Sequence, residues 1–271
     1  MTWAAGVGAV AGARASVTAV AAVAGLLIGS FLNVVVYRVP RRLSVVQPGS
    51  FCPACTTPIR PSDNVPVVSW LILRRRCRVC GEPISARYPL VELGTGALFG
   101  ATAGALGAHW AVPGMCALGA TTLALAVIEL DGLPAPAAVS LVGTGLGATL
   151  LSAAAVADRR WWHLGGMLMG IALASSVVAA WSAAQRGHRD STPPWALIPA
   201  GAVMGWVGPL GAVLGVATTA CGVIGLWILA RTRRSGGDAD ARAGAGIAVA
   251  AGVGSVAAVI GALVSGSAIG T

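Results

Sequence analysis

Apolar residues in this chain neither alternate nor recur at every third or fourth position; they run in long blocks separated by short polar breaks. Blocks of about 20 residues are long enough to cross ~30 Å of hydrocarbon as helices. Eight can be drawn, at 16–37, 88–107, 111–130, 134–156, 164–184, 194–207, 209–230 and 244–266, the sixth and seventh being one apolar stretch divided at Gly208-Pro209. Lipid-exposed backbone must satisfy its own hydrogen bonds, and barrel-like alternation is absent, so the blocks are expected to be helices. The predicted fold is all-α: a polytopic membrane helix bundle with about eight spans. The first block is read as a permanent helix rather than a signal peptide, because it is too long for a signal core and its arginines follow it.

Composition agrees with the pattern. Hydrophobic residues make up 56% of 271 positions and charged residues 10%. All eighteen basic residues are arginine, and they are unevenly spread: fifteen fall in the 38–87, 185–193 and 231–243 loops, against Arg14, Arg159 and Arg160 on the other side. The positive-inside rule makes the 38–87 loop cytoplasmic and sets the N-terminus outside. The net charge of +9 then belongs to anionic lipid headgroups, and no nucleic-acid partner is expected. Trp161 and Trp162, beside Arg159 and Arg160, read as an outer interfacial belt. The glycines of Gly143-Thr144-Gly145-Leu146-Gly147 are read as close helix contacts rather than a nucleotide loop.

One segment breaks the apolar pattern. In FCPACTTPIRPSDNVPVVSWLILRRRCRVC, from Phe51 to Cys80, Cys52 and Cys55 form one C-x-x-C pair and Cys77 and Cys80 another, with 21 residues between. That spacing fits one tetrahedral zinc ion held by four thiolates. A reducing cytosol argues against disulfides, and a loop so rich in Pro and Arg needs a staple to fold. A closed four-thiolate shell leaves no open position for water, so the zinc is expected to be structural. Cys116 and Cys221 lie in apolar blocks and read as core residues.

From GLLIGSFLNVVVYRVPRR, through both cysteine pairs and Asp63-Asn64-Val65-Pro66, to Arg87-Tyr88-Pro89-Leu90-Val91-Glu92, the chain resembles the amino-terminal part of the prepilin peptidases. These are polytopic aspartic proteases and N-methyltransferases of type IV pilus and type II secretion systems. The resemblance implies eight spans in a bacterial inner membrane, a zinc-bound cytoplasmic loop, and cleavage of a basic leader after a Gly in prepilin or pseudopilin precursors. It also implies methylation of the new N-terminus from S-adenosylmethionine. Two domains are expected: 1–87, an anchor helix plus zinc module, and 88–271, the peptidase bundle.

An ionisable residue at membrane depth is a functional candidate by default. Of nine acidic residues, Glu129, Asp131 and Asp190 fall at cytoplasmic helix ends. Two carboxylates brought together can split their proton affinities, one activating water while the other protonates the cut peptide. In ALAVIELDGLP the resemblance puts Glu129 where the family carries its catalytic Asp, with Asp131 matching a second, non-catalytic aspartate and the segment to Pro134 short by about two residues; Glu129 or Asp131 is expected to pair with Asp190. If the helix continued through both, only one would face a partner, whereas a helix ending near Glu129 would let Asp131 serve. Asp131 before Gly132 also reads as turn chemistry. Around Asp190 the family's Gly-x-Gly-Asp-x-Lys element is altered: Arg189 replaces the preceding Gly, Thr-Pro-Pro follows, and the chain has no Lys. His188 is a stand-in acid or base or a solvated loop histidine. The rival to an active peptidase is an inactive relative that binds precursors or secretion machinery as a scaffold. A transporter would need ionisable groups or broken helices near mid-membrane, whereas these acids cluster at one edge.

Overall fold

The computed structural model describes residues 2–184, 195 and 197–207. Among them the chain is all-helical, with two isolated antiparallel bridges and no strand. The helices are α1 (Thr2–Arg38), α2 (Val68–Ile72), α3 (Arg87–Leu106), α4 (Val112–Leu130), α5 (Ala137–Ala157), α6 (Trp162–Ala184) and α7 (Leu197–Val207). Six of the expected spans coincide with helices to within 3 residues at every boundary except the start of α1, which reaches back to Thr2. The expected spans at 209–230 and 244–266 lie outside the described residues. Among the described residues, four stretches are long and apolar enough to cross a membrane: Gly12–Arg38, Val112–Leu130, Ala137–Ala157 and Trp162–Ala183. At 11 residues α7 is short for a crossing, and α3 interrupts its apolar surface with Glu92 and with Gly and Thr.

The chain divides into two units after Ala108. In the first, α1 and α3 pack antiparallel along small residues. A Cβ placed on Gly25 would lie 2.6 Å from the Thr95 carbonyl oxygen, and one on Gly29 would lie 2.7 Å from Glu92 Cα. These backbones meet because nothing larger stands between them. Both ends of the pair are tied: Asn33 Nδ2 donates to the Tyr88 carbonyl (3.1 Å), and Arg14 donates to the Ala105 carbonyl (2.7 Å) in the last turn of α3, where a helix has unpaired acceptors.

In the second unit α4 runs antiparallel to α5, and α6 to α7. Gly143 and Gly147 lie against Thr121 and Leu118 of α4, the close-contact role expected of them. Gly170 abuts Gly201, and Gly205 abuts Gly166, where α6 meets α7. Ala174 and Val178 of α6 form a buried cluster with Leu197 and Ile198 of α7. Trp110, Trp161 and Trp162 stay exposed at one end of this unit, where His109 and Asp158 pair at 3.3 Å.

Candidate functional site

The four cysteines meet. Their sulfurs all lie within 4.8 Å of one another, with Cys52 Sγ 3.8 Å from Cys80 Sγ and Cys55 Sγ 4.0 Å from Cys77 Sγ. Sulfurs ~2.3 Å from a tetrahedral zinc stand ~3.8 Å apart, so the set fits that ion. Each is a free thiol, as the metal reading requires.

Two copies of one local fold build this cluster. Phe51-Cys-Pro-Ala-Cys-Thr-Thr-Pro-Ile and Arg76-Cys-Arg-Val-Cys-Gly-Glu-Pro-Ile repeat C-x-x-C-x-x-P-I, and the backbone repeats with them. Thr56 N–H donates to the Cys52 carbonyl as Gly81 N–H does to Cys77; Cys52 N–H donates to Thr57 as Cys77 N–H does to Glu82. The bridges Phe51↔Pro58 and Arg76↔Pro83 close the two knuckles alike. Equivalent residues Thr56 and Gly81 both take a left-handed backbone, φ 57° and 73°, which glycine accepts freely and a β-branched residue resists. The repeat was readable in the sequence once the residues after each pair were compared.

Neighbouring groups tune the thiols. The Thr57 hydroxyl, then its backbone N–H, pulls Cys55 down to about 6, and the backbone N–H groups of Cys80 and Val79 lower Cys77. At Cys80 the backbone N–H of Glu82 is outweighed by desolvation and the adjacent thiols, and the group is pushed up to about 12. Four sulfurs so close cannot all carry charge unaided; a divalent cation removes that conflict.

Supports around the knuckles escaped the sequence reading. Arg38, only 6% exposed, donates to the Ser44 and Gly49 carbonyls (3.0 Å each) and stands 5.8 Å over the Phe51 ring. Asp63 accepts two bonds from Arg78 (2.6 and 2.8 Å), which ties the 3-10 turn Pro61–Asp63 to the second knuckle. That guanidinium holds the Asp63 carboxyl below its ordinary range. Glu92, buried in α3, accepts from Val67 N–H at 2.7 Å; Val67 itself has φ 61°.

The acidic candidates are in the second unit. Helix α4 ends at Leu130, placing Glu129 half-buried in its last turn and Asp131 exposed at the cap. Leu133 N–H donates to the Ile128 carbonyl, and Gly132 N–H, at φ 70°, to that of Glu129. This paired closure is a glycine-terminated helix end, the turn chemistry expected of Asp131-Gly132. Asp190, His188 and Cys221 lie outside the described residues; Cys116 is buried in α4, as expected of a core residue. The chain on the far side of Asp190 is nonetheless anchored: Ser140 Oγ, in the first turn of α5, donates to the Trp195 carbonyl at 2.9 Å. Trp195 therefore sits at the end of the unit where α4 stops and α5 begins.

Residues 23–106 match the bacterial peptidase A24 N-terminal domain, a stretch that runs from within α1 to the end of α3. Over 214 residues, 79% of the chain, the sequence is 36% identical to a prepilin leader peptidase/N-methyltransferase of Myxococcus xanthus, of which 64% is covered. It is 41% identical over 152 residues (46% of the chain, 53% of the relative) to the protein of that name from Neisseria gonorrhoeae. With that of Klebsiella pneumoniae it shares 42% over 117 residues, 41% of the chain and 49% of the relative. The matches thus span half to nearly two thirds of these relatives' own lengths. No solved structure matches the chain.

Proposed function

We propose that this chain, a relative of the prepilin leader peptidase/N-methyltransferases with a bacterial peptidase A24 N-terminal domain, is a bacterial inner-membrane aspartic endopeptidase. Its substrates are prepilin or pseudopilin precursors, from which it removes a basic leader. The observation that carries this reading is the likeness to a prepilin leader peptidase along 79% of the chain, which takes in the carboxylates at the end of α4. Glu129 and Asp190 are the first choice of dyad. Glu129 is half-buried in a helix that packs against α5 and α7, surroundings in which two carboxylates interact strongly. Asp190 is five residues before Trp195, which is bonded to the start of α5. Asp131 is the alternative to Glu129: it is exposed at the cap, and α4 ends at Leu130, the case in which the sequence lets Asp131 serve.

In the reaction one carboxylate takes a proton from water as it attacks the scissile carbonyl, and the other, protonated, donates to the departing amide nitrogen. By the positive-inside rule, the end of the chain's spans that carries the arginine-rich loops faces the cytoplasm in this reading. Cys52, Cys55, Cys77 and Cys80 hold Zn2+, which pins the two knuckles together and takes no part in cleavage. The relatives' name includes methyl transfer; here it would use S-adenosylmethionine on the new N-terminus, and mass spectrometry of the processed product tests it.

A second reading rests on the altered surroundings of Asp190, where Arg189 replaces a Gly and the chain lacks Lys: an inactive relative that binds precursors as a scaffold. The deciding experiment is cleavage of a coexpressed precursor from the same genome, by the parent and by Glu129→Ala, Asp131→Ala and Asp190→Ala. Loss with Asp190→Ala and with one of the other two supports the dyad. A folded, zinc-loaded parent that crosslinks the precursor but never cleaves it makes the chain a scaffold.

A further inference from the structure

We propose that residues 65–76, between the two cysteine knuckles, are a membrane-surface anchor that inserts an apolar face among anionic lipid headgroups. The inference stands apart from the peptidase reading. Helix α2 is built inside out for a water-facing loop. Val68, Leu71 and Ile72, at helical spacing on one face, are 49%, 61% and 69% exposed. Ser69 is turned inward and buried, its hydroxyl donating to the Ser62 carbonyl (3.1 Å) and accepting from Val65 N–H (2.9 Å). A short helix that hides its hydroxyl and shows its aliphatic side chains fits an apolar medium on its outer side.

The depth is fixed by a second observation. Val67 N–H donates to Glu92 in the second turn of α3, and α3 packs along α1, whose Gly12–Arg38 stretch is long and apolar enough to cross the bilayer. Glu92 packs against Gly29, inside that stretch, so the base of α2 is joined to α3 at the level of the last turns of α1. The knuckles close the loop's neck and keep it there.

Charge then selects the lipid. Arg74, Arg75 and Arg76 follow α2 after its cap residue Leu73 and are all exposed, and no described carboxylate pairs with any of them. Arg74 and Arg75 take left-handed backbone, φ 48° and 62°, a turn glycine would make without strain; arginine occupies it at a cost. Aliphatic side chains followed by three cations match the acyl boundary and phosphates of an anionic leaflet.

The test puts a diazirine amino acid at Ile72 of the full-length, zinc-loaded protein, in vesicles of phosphatidylcholine mixed equally with phosphatidylglycerol. Lipid adducts at this position are expected, phosphatidylglycerol outnumbering phosphatidylcholine roughly fivefold or more, at about fivefold per arginine that reaches the surface. Arg74→Gln/Arg75→Gln/Arg76→Gln, with its zinc retained, should keep the lipid adducts and lose the preference. Adducts to water, to a second copy of the chain, or to an added precursor peptide in place of lipid would overturn the proposal, as would equal labelling of the two lipids by the parent.

Discussion

The four-cysteine cluster and the proposed pair of acids draw on the fold in opposite ways. In the first unit four ligands come from one stretch, Cys52 to Cys80, each pair on a knuckle whose backbone bonds are made within nine residues. In the second, Glu129 at the end of α4 would find its partner in the segment before α7, 61 residues on, through the packing of α4, α5 and α7. The four-cysteine cluster is set by local chain geometry, whereas the proposed carboxylate pair would depend on helix packing. A local site can persist while a packed one changes, which is how an intact C-x-x-C repeat can share a chain with an altered Asp190 motif.

Removing one ligand should give the largest effect. Cys52→Ser or Cys77→Ser should reduce bound zinc, measured by elemental analysis of the purified chain, from one per chain by at least tenfold, because the ion organises the loop that binds it. Stoichiometric zinc in either variant would break the comparison. On the other side, Asp190→Ala and either Glu129→Ala or Asp131→Ala should slow precursor cleavage by roughly 10²–10⁴-fold, the range of general acid–base contributions, and leave zinc content at the parental value. Zinc lost along with cleavage would mean that the two sites are not independent.

Helix packing can be probed at Gly29. A side chain there must push into the backbone of α3, with Glu92 Cα 2.7 Å from the new Cβ, whereas Gly49 has nothing within 4 Å. Gly29→Leu should cost about 1–3 kcal/mol, read as a lower unfolding temperature, and Gly49→Leu much less. The smallest effect sharpens the view of the repeat. Thr56 stands in left-handed backbone where its counterpart is Gly81, so Thr56→Gly should gain about 1 kcal/mol and Gly81→Thr should lose about as much. Both are measured as the chelator concentration that strips half the zinc.

Blocks of apolar residues locate helices without knowledge of their partners, so the order and limits of α3 to α6 were legible. The four-cysteine cluster was legible because the spacing of the two pairs is itself the geometry. Contacts made across many residues were not: nothing in the sequence marks Arg38 as the buried hub of the lead into the first knuckle, or Val67 as the group bonded to Glu92. Helix α2 hides for a related reason. Its residues Val68 to Ile72 look like core, and only the structure shows that Ser69 and the Trp70 indole turn inward while Val68, Leu71 and Ile72 face out. At α4 the sequence left two possibilities for the acids, and the closure of the helix at Leu130 separates Glu129 in the helix from Asp131 at its cap.

The central claim is that cleavage depends on Asp190 together with Glu129 or Asp131, and not on the four cysteines. The most direct measurement is precursor processing by Glu129→Ala/Asp131→Ala/Asp190→Ala, in membranes where zinc analysis shows the loop still loaded and the parent cleaves. The account predicts no processed product with one zinc per chain retained. Processing at the parental rate by this triple variant would contradict it.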